Sequence, residues 1–168
     1  MYRDTKGYTF IELTVVVLLI GLMMALTLPR FRYAILADNL RTATRRLVGT
    51  IKTIRSDAVR EQQDYILRFD LESNRFWLES SAMTEEERLL SQEKASLLPR
   101  GVRVVDIWFK GKGKKMAGLT GIRFNKKGYV QQSVIHLGSE DGRRFTLVLN
   151  PFFGKVRVLE DYVEFEDV

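Results

Sequence analysis

The stretch KGYTFIELTVVVLLIGLMMALTLPRF, residues 6–31, decides the N-terminal half of the fold. Residues 13–28 are sixteen consecutive uncharged and mostly apolar residues, and Glu12 stands directly before them. A helix over the twenty-one residues 8–28 is roughly 31 Å long, close to the thickness of the hydrocarbon core of a bilayer. The sequence therefore predicts a transmembrane helix over residues 8–29.

A cleaved secretory signal peptide is the main alternative for this segment, because a short charged leader precedes the apolar run. Two features favour retention of the segment. It ends in TLPRF, residues 27–31, without the small-x-small pattern of a signal peptidase site, and a helical pattern continues directly behind it.

Glu12 needs an explanation of its own. An ionised carboxylate costs about 2.5–3.5 kcal/mol at the centre of a bilayer and less near the interface. One interpretation is that the side chain reaches the headgroups and is favoured by the helix dipole. The other is that it meets a partner of opposite charge, since a buried carboxylate requires one.

Residues 6–13, Lys-Gly-Tyr-Thr-Phe-Ile-Glu-Leu, resemble the class III signal of type IV pilins and type II secretion pseudopilins. The resemblance implies that a prepilin peptidase cuts after Gly7 and methylates the new N-terminus at Tyr8, where the family usually has Phe or Met. It also implies an assembly role for Glu12, which would pair with the α-amine of a neighbouring subunit. A membrane-tethered domain without a filament role is the remaining interpretation, and it predicts an uncleaved leader.

The charges around the apolar run conflict with this resemblance. Arg30 and Arg32 follow the run, and further arginines come soon after, so the positive-inside rule places the C-terminal part in the cytoplasm. The resemblance implies the reverse: a single-pass protein of the bacterial inner membrane with a cytoplasmic leader and a periplasmic body, later drawn into a periplasmic filament. We follow the resemblance.

Behind Pro29 the apolar residues recur at steps of three and four, which predicts an amphipathic helix over residues 30–63 that packs on its own domain. Gly21 and Pro29 are helix-breaking residues within the predicted rod. The members of the apolar stripe are Leu36, Leu40, Ala43, Leu47, Ile51, Ile54 and Ala58.

Residues 64–168 show strand periodicity and turn signals. A capping box at Thr84 and Glu87 adds a short helix. The sequence thus predicts an α+β protein with a long N-terminal α-helix, whose first half is transmembrane, and an antiparallel β domain of two small sheets over 64–168. The resemblance to pilins implies that this fold is pilin-like and that residues 1–7 are a leader. The predicted strands cover residues 65–69, 75–79, 102–109, 121–125, 129–137, 144–149, 155–159 and 162–165.

Two later blocks, residues 122–128 and 145–158, resemble the C-terminal blocks of GspH/FimT-type minor pseudopilins. The resemblance implies a structural subunit of the pseudopilus of a type II secretion system for protein export. Its partners would be other major and minor pseudopilins, the prepilin peptidase/N-methyltransferase and the inner-membrane secretion platform. The alternative is a FimT-like minor pilin of a type IV pilus that acts in assembly or DNA uptake.

Catalytic chemistry is poorly supported by the composition. The chain has no cysteine, which excludes disulfides and thiolate metal sites, and its one histidine gives no support to a His-dependent triad. We expect no enzyme, no metal and no cofactor, and a structural role for His136. Residues 110–115 lack the ending of a P-loop and are interpreted as a basic turn.

The net charge of +6 is compatible with an anionic partner and also with none. In the alternative function, a basic surface would contact nucleic acid phosphates. Its candidate residues are Lys112, Lys114, Lys115, Arg123, Lys126 and Lys127.

Overall fold

The computed structural model describes residues 7–152 and 154–164, and for residues 25–37 it describes the backbone but not the side chains. The chain forms two compact units, Met1–Ile35 and Leu36–Val168. The elements in chain order are α1 (Phe10–Glu61), β1 (Tyr65–Asp70), β2 (Arg75–Ser80), α2 (Glu85–Glu93), β3 (Ser96–Leu97), β4 (Val102–Phe109), β5 (Gly113–Lys115), β6 (Leu119–Phe124), β7 (Ser133–Ser139), β8 (Arg144–Leu149) and β9 (Arg157–Leu159).

The backbone of α1 is helical through both Gly21 and Pro29. Among the residues that the structure describes, no helix combines the length and hydropathy that a membrane span requires. The predicted span 8–29 lies partly outside the residues whose side chains are described, and most of the predicted leader lies outside the described residues altogether.

The predicted apolar stripe of α1 is confirmed in the second unit. Its members from Leu40 to Ala58 are at most 1% exposed, whereas Arg41, Arg45 and Lys52 between them are exposed. The Leu36 side chain lies outside those described. The stripe forms one hydrophobic core with residues of both sheets, among them Leu67 and Ile135. Burial of this stripe therefore holds the C-terminal part of α1 on its own β domain.

The β domain contains two antiparallel sheets, as predicted. Sheet A has the strand order β3-β2-β1-β6, and sheet B has the order β5-β4-β7-β8-β9. β1 and β2 form a hairpin in which Leu67 lies opposite Leu78. The capping box of α2 is also confirmed, since Thr84 and Glu87 each bond the backbone of the other. The α+β prediction with two small sheets is therefore confirmed.

Three details of the strand prediction are wrong. The short edge strands β3 and β5 were not predicted, because neither has an apolar alternation. Residues 129–132 contribute an isolated bridge at Val130 and no strand. Residues 162–164 form no strand either, because they cross the face of sheet B instead of pairing along its edge. Residue 165 lies outside the described residues.

Candidate functional site

The segment that resembles the prepilin signal lies at the start of α1. Gly7, Tyr8 and Thr9 precede the helix, which begins at Phe10. Tyr8 is 87% exposed. Thr9 acts as the helix cap, since its hydroxyl accepts a hydrogen bond from the backbone N–H of Glu12 at 3.3 Å. The Gly7–Tyr8 peptide bond therefore lies outside the helix, in an exposed segment.

The cap also fixes the position of Glu12. Thr9 and Glu12 have the spacing of a capping box, a signal that the sequence carries and that our interpretation of Glu12 overlooked. Glu12 lies in the first turn, where the helix dipole favours a negative charge. No described residue donates a hydrogen bond to its carboxylate. The carboxylate thus lies at the helix end, without a bonding partner among the described residues.

The first part of α1 is apolar and uncovered. Its large apolar side chains are between 46% and 87% exposed, including Val16 and Phe10 at the two limits. A contiguous apolar surface of this kind marks a site of contact with lipid or protein. Its members are Phe10, Ile11, Leu13, Val15, Val16, Val17, Leu18, Leu19, Ile20, Leu22, Met23 and Met24.

The six predicted basic residues do not form one surface. Lys112, Lys115 and Arg123 line adjoining concavities at the edges of the two sheets. The turn after β6 carries the other pair: the backbone N–H of Lys126 donates to Asp64, and that of Lys127 donates to Asn125.

Lys114 points elsewhere. Its ammonium donates to the Tyr162 hydroxyl at 2.7 Å and forms an ion pair with Glu164 at 3.0 Å. The hydrogen bond to Tyr162 and then the bond to Glu164 raise the pKa of Lys114 well above its usual range. Lys114 is therefore a structural cation of the C-terminal part of the chain.

Sheet B carries a buried polar row that the sequence analysis did not predict. Asp106, His136 and Thr146 lie opposite one another on β4, β7 and β8, and each is at most 2% exposed. The Nδ1 of His136 lies 2.7 Å from Oδ1 of Asp106, and its Nε2 lies 3.0 Å from the Val163 carbonyl. Both ring nitrogens therefore lie within hydrogen-bonding distance of an oxygen atom.

Residues 160–164, which we call the C-terminal strap, cover this row. The strap bonds Thr146 through Asp161 and Val163, and it bonds Asp106 through the Tyr162 hydroxyl. The Tyr162 ring stacks on His136 with the centroids 4.0 Å apart. Burial is the main cause of the raised pKa of the Tyr162 phenol. Every member of the row is satisfied within the chain, so the structural role predicted for His136 agrees with its contacts.

Solved structures with the same architecture are known. The chain is similar to the crystal structure of the minor pseudopilin EpsH from the type II secretion system of Vibrio cholerae, with a TM-score of 0.55 and 12% sequence identity over 76% of this chain and 97% of that chain. The chain has the fold of a minor pseudopilin.

A second structure of the same EpsH pseudopilin gives a TM-score of 0.54 and 11% identity, and it covers 75% of this chain and 99% of its own. No protein-family model matches the chain, and no curated protein matches it in sequence. The likeness therefore lies in the fold, since only 11–12% of the aligned residues are identical.

Proposed function

We propose that the chain is a structural minor pseudopilin that assembles into the periplasmic pseudopilus of a type II secretion system. One observation carries the proposal: an exposed apolar helix with Glu12 held in its first turn precedes a domain of the minor pseudopilin fold. An apolar helix that its own chain leaves uncovered requires lipid or neighbouring helices, and a pseudopilus supplies the helices.

Processing at the signal is the first step of the proposed mechanism. A prepilin peptidase in the bacterial inner membrane cuts between Gly7 and Tyr8 and methylates the amine of Tyr8. The exposed, non-helical backbone before Phe10 supports this step. Cleavage creates a cation about one helical turn from Glu12, since an α-helix has 3.6 residues per turn.

Assembly is the second step. The helix over residues 8–29 anchors the precursor in the membrane, with its C-terminal domain in the periplasm, until the secretion platform transfers it into the filament. There, the Glu12 carboxylate pairs with the Tyr8 amine of a neighbouring subunit. A carboxylate in an apolar helix bundle is strongly unfavourable without a partner, so the pair fixes the axial register of the subunits. Gly21 and Pro29 give the helix two points of low helix propensity where it adapts to its neighbours.

The variant Glu12→Ala tests this proposal. It should insert in the membrane and keep its folded domain, yet fail to enter sheared pseudopili when the other pseudopilins are co-expressed. Glu86→Ala is the matched control, because Glu86 is an exposed acid in the first turn of α2. Incorporation of Glu12→Ala at the level of the Glu86→Ala control would contradict the assembly mechanism.

A further inference from the structure

Basic side chains from both sheets line one groove, which we call the basic groove. It consists of three overlapping concavities of about 400, 350 and 230 Å³. Arg123 of β6 lines all three, so it lies at the centre. The basic residues that line the groove are Arg68, Arg88, Lys112, Lys115 and Arg123.

The carboxylates of this groove are already engaged. Glu79 accepts hydrogen bonds from Trp77 at 3.0 Å and from Arg68 at 2.9 Å. Asp64 accepts the backbone N–H of Lys126 at 2.8 Å. The side chains of Lys112, Lys115 and Arg123, in contrast, form no hydrogen bond or ion pair with a described residue. The groove therefore keeps an excess of positive charge that the chain itself does not compensate.

The outer edge of β6 borders the groove and is unpaired at its Gly121 end. β6 is the last strand of sheet A and pairs with β1 on one side. On its other side the Arg123 carbonyl accepts from Gln131 and the Asn125 N–H donates to Tyr129. Because backbone groups alternate along a strand, Gly121 faces this same edge. Among the described residues, none bonds the Gly121 backbone there.

Gly121 also shapes the groove. A Cβ atom at this position would lie 2.7 Å from Cγ2 of Ile66 and 3.1 Å from Cδ of Arg68. The absence of a side chain lets Arg68 lie across β6 and line the groove. A glycine in a strand is typical of places where another backbone approaches closely.

We propose that the basic groove binds an extended acidic segment of another protein, which adds as a strand to the free edge of β6. Its backbone would bond Gly121, and its carboxylates would meet Arg123, Lys112 and Lys115. The unpaired backbone edge favours a peptide over a nucleic acid, because a phosphodiester chain has no N–H to donate to the Gly121 carbonyl. The inference goes beyond the proposed function, because the assembly mechanism uses Tyr8 and Glu12 of the first unit, whereas every residue of the groove lies in the unit Leu36–Val168.

Fluorescence anisotropy with the full chain in detergent micelles tests the peptide chemistry. The probe is a fluorescein-labelled peptide of alternating Glu and Thr. It should bind, and its affinity should fall as the salt concentration rises, because exposed charges are screened. The Kd of a Gln-Thr peptide should be at least about tenfold higher, which corresponds to a binding free energy weaker by about 1.4 kcal/mol. A Glu-Thr peptide with N-methylated backbone amides should lose binding to a similar degree, because it cannot donate to a strand edge.

Matched charge reversals locate the site. Arg123→Glu should raise the Kd for the Glu-Thr peptide about tenfold or more, whereas Arg103→Glu should change it less than about twofold. Arg103 is the control because it is also an exposed arginine on a strand, outside the groove. Lys112→Glu, in the turn before β5, provides a second reversal. Thermal unfolding of each variant separates lost binding from lost folding.

Four results would overturn the proposal. The first is an equal loss of peptide affinity in Arg103→Glu and Arg123→Glu, and the second is undiminished binding of the N-methylated peptide. The third is a single-stranded DNA oligonucleotide that binds more tightly and displaces the peptide. The fourth is displacement of the peptide by a second copy of the chain. The proposed function is tested separately by Glu12→Ala. A chain that enters pseudopili but does not bind the peptide would contradict the peptide-binding proposal and leave the proposed function intact.

Discussion

Large apolar side chains occur in both parts of α1, and the two parts differ in what covers them. Leu18 is 67% exposed, whereas Leu47 is fully buried. The buried part forms a stripe that the two sheets cover, whereas the first part is apolar on all its faces. A helix that is apolar all round requires an apolar surrounding on every side. The comparison teaches that the second part of α1 serves the fold of this chain, whereas the first part leaves its apolar side chains exposed, and we propose that it serves contacts beyond the chain.

Leucine truncation in the two parts should give the largest difference. Leu47→Ala should lower the free energy of unfolding by about 2–5 kcal/mol, because it leaves a cavity in the core. Leu18→Ala should change it by no more than about 0.5 kcal/mol, as is usual for exposed positions. Urea unfolding of the full chain in detergent, followed by tryptophan fluorescence, measures both. Equal losses for the two variants would contradict the division of α1.

Two threonines, one in each part of α1, allow the same substitution to be compared at a buried and an exposed position. The Thr44 hydroxyl donates to the Leu40 carbonyl at 2.8 Å, and the Thr14 hydroxyl donates to the Phe10 carbonyl at the same distance. Thr44 is 4% exposed, so Thr44→Ala removes packed atoms and should cost about 1 kcal/mol. Thr14→Ala should stay within about 0.5 kcal/mol. The same urea titration measures both free energies of unfolding. A larger loss of stability for Thr14→Ala than for Thr44→Ala would contradict the assignment of the second part of α1 to the core.

The smallest predicted effect is the pH dependence of stability that Asp70 contributes in the turn between β1 and β2. The Ser73 hydroxyl, with the backbone N–H groups of Ser73 and Glu72, lowers the pKa of Asp70 below its ordinary value. A lowered pKa means that the carboxylate stabilises the fold at neutral pH and loses this effect as the pH falls through the folded-state value.

The variant Asp70→Asn should therefore lower the Tm by less than about 4 °C at pH 7. The gap to the unsubstituted chain should begin to narrow as the pH falls below about 4, where the unfolded chain takes up the proton. It should close below the lowered folded-state pKa, where the carboxyl is protonated in both states. Asp38→Asn serves as a control in α1, outside this turn. A Tm gap that persists unchanged in acid would mean that the Asp70 charge contributes nothing.

Local patterns explain what the sequence predicted well. The burial period of α1 from Leu40 to Ala58 repeats every three or four residues, so a helix and its buried face follow together. The capping box of α2 is equally local. The edge strand β5 has no such pattern, because Gly113–Lys115 becomes a strand through its pairing with Ile107–Phe109. A strand that depends on its partner is not visible in its own residues.

The candidate site divides in the same way. Gly7, Tyr8 and Glu12 stand within one short motif, so the sequence predicts them together, and their roles stay a prediction. The row of Asp106, His136 and Thr146 depends on the register of three strands and on an irregularity between Val104 and Asp106. Such a register is not encoded in local spacing. For the same reason the sequence placed Lys114 beside Lys115, whereas alternation along β5 sends the two side chains to opposite faces.

The N-terminus of the processed chain tests the central claim most directly. The full chain should be co-expressed with a prepilin peptidase, and its intact mass and N-terminal sequence should be determined. The proposed function predicts a chain that begins at N-methylated Tyr8, with residues 1–7 removed. A chain that still begins at Met1, under conditions in which a control pilin is processed, would contradict it and leave Glu12 as an interfacial acid in a capped helix.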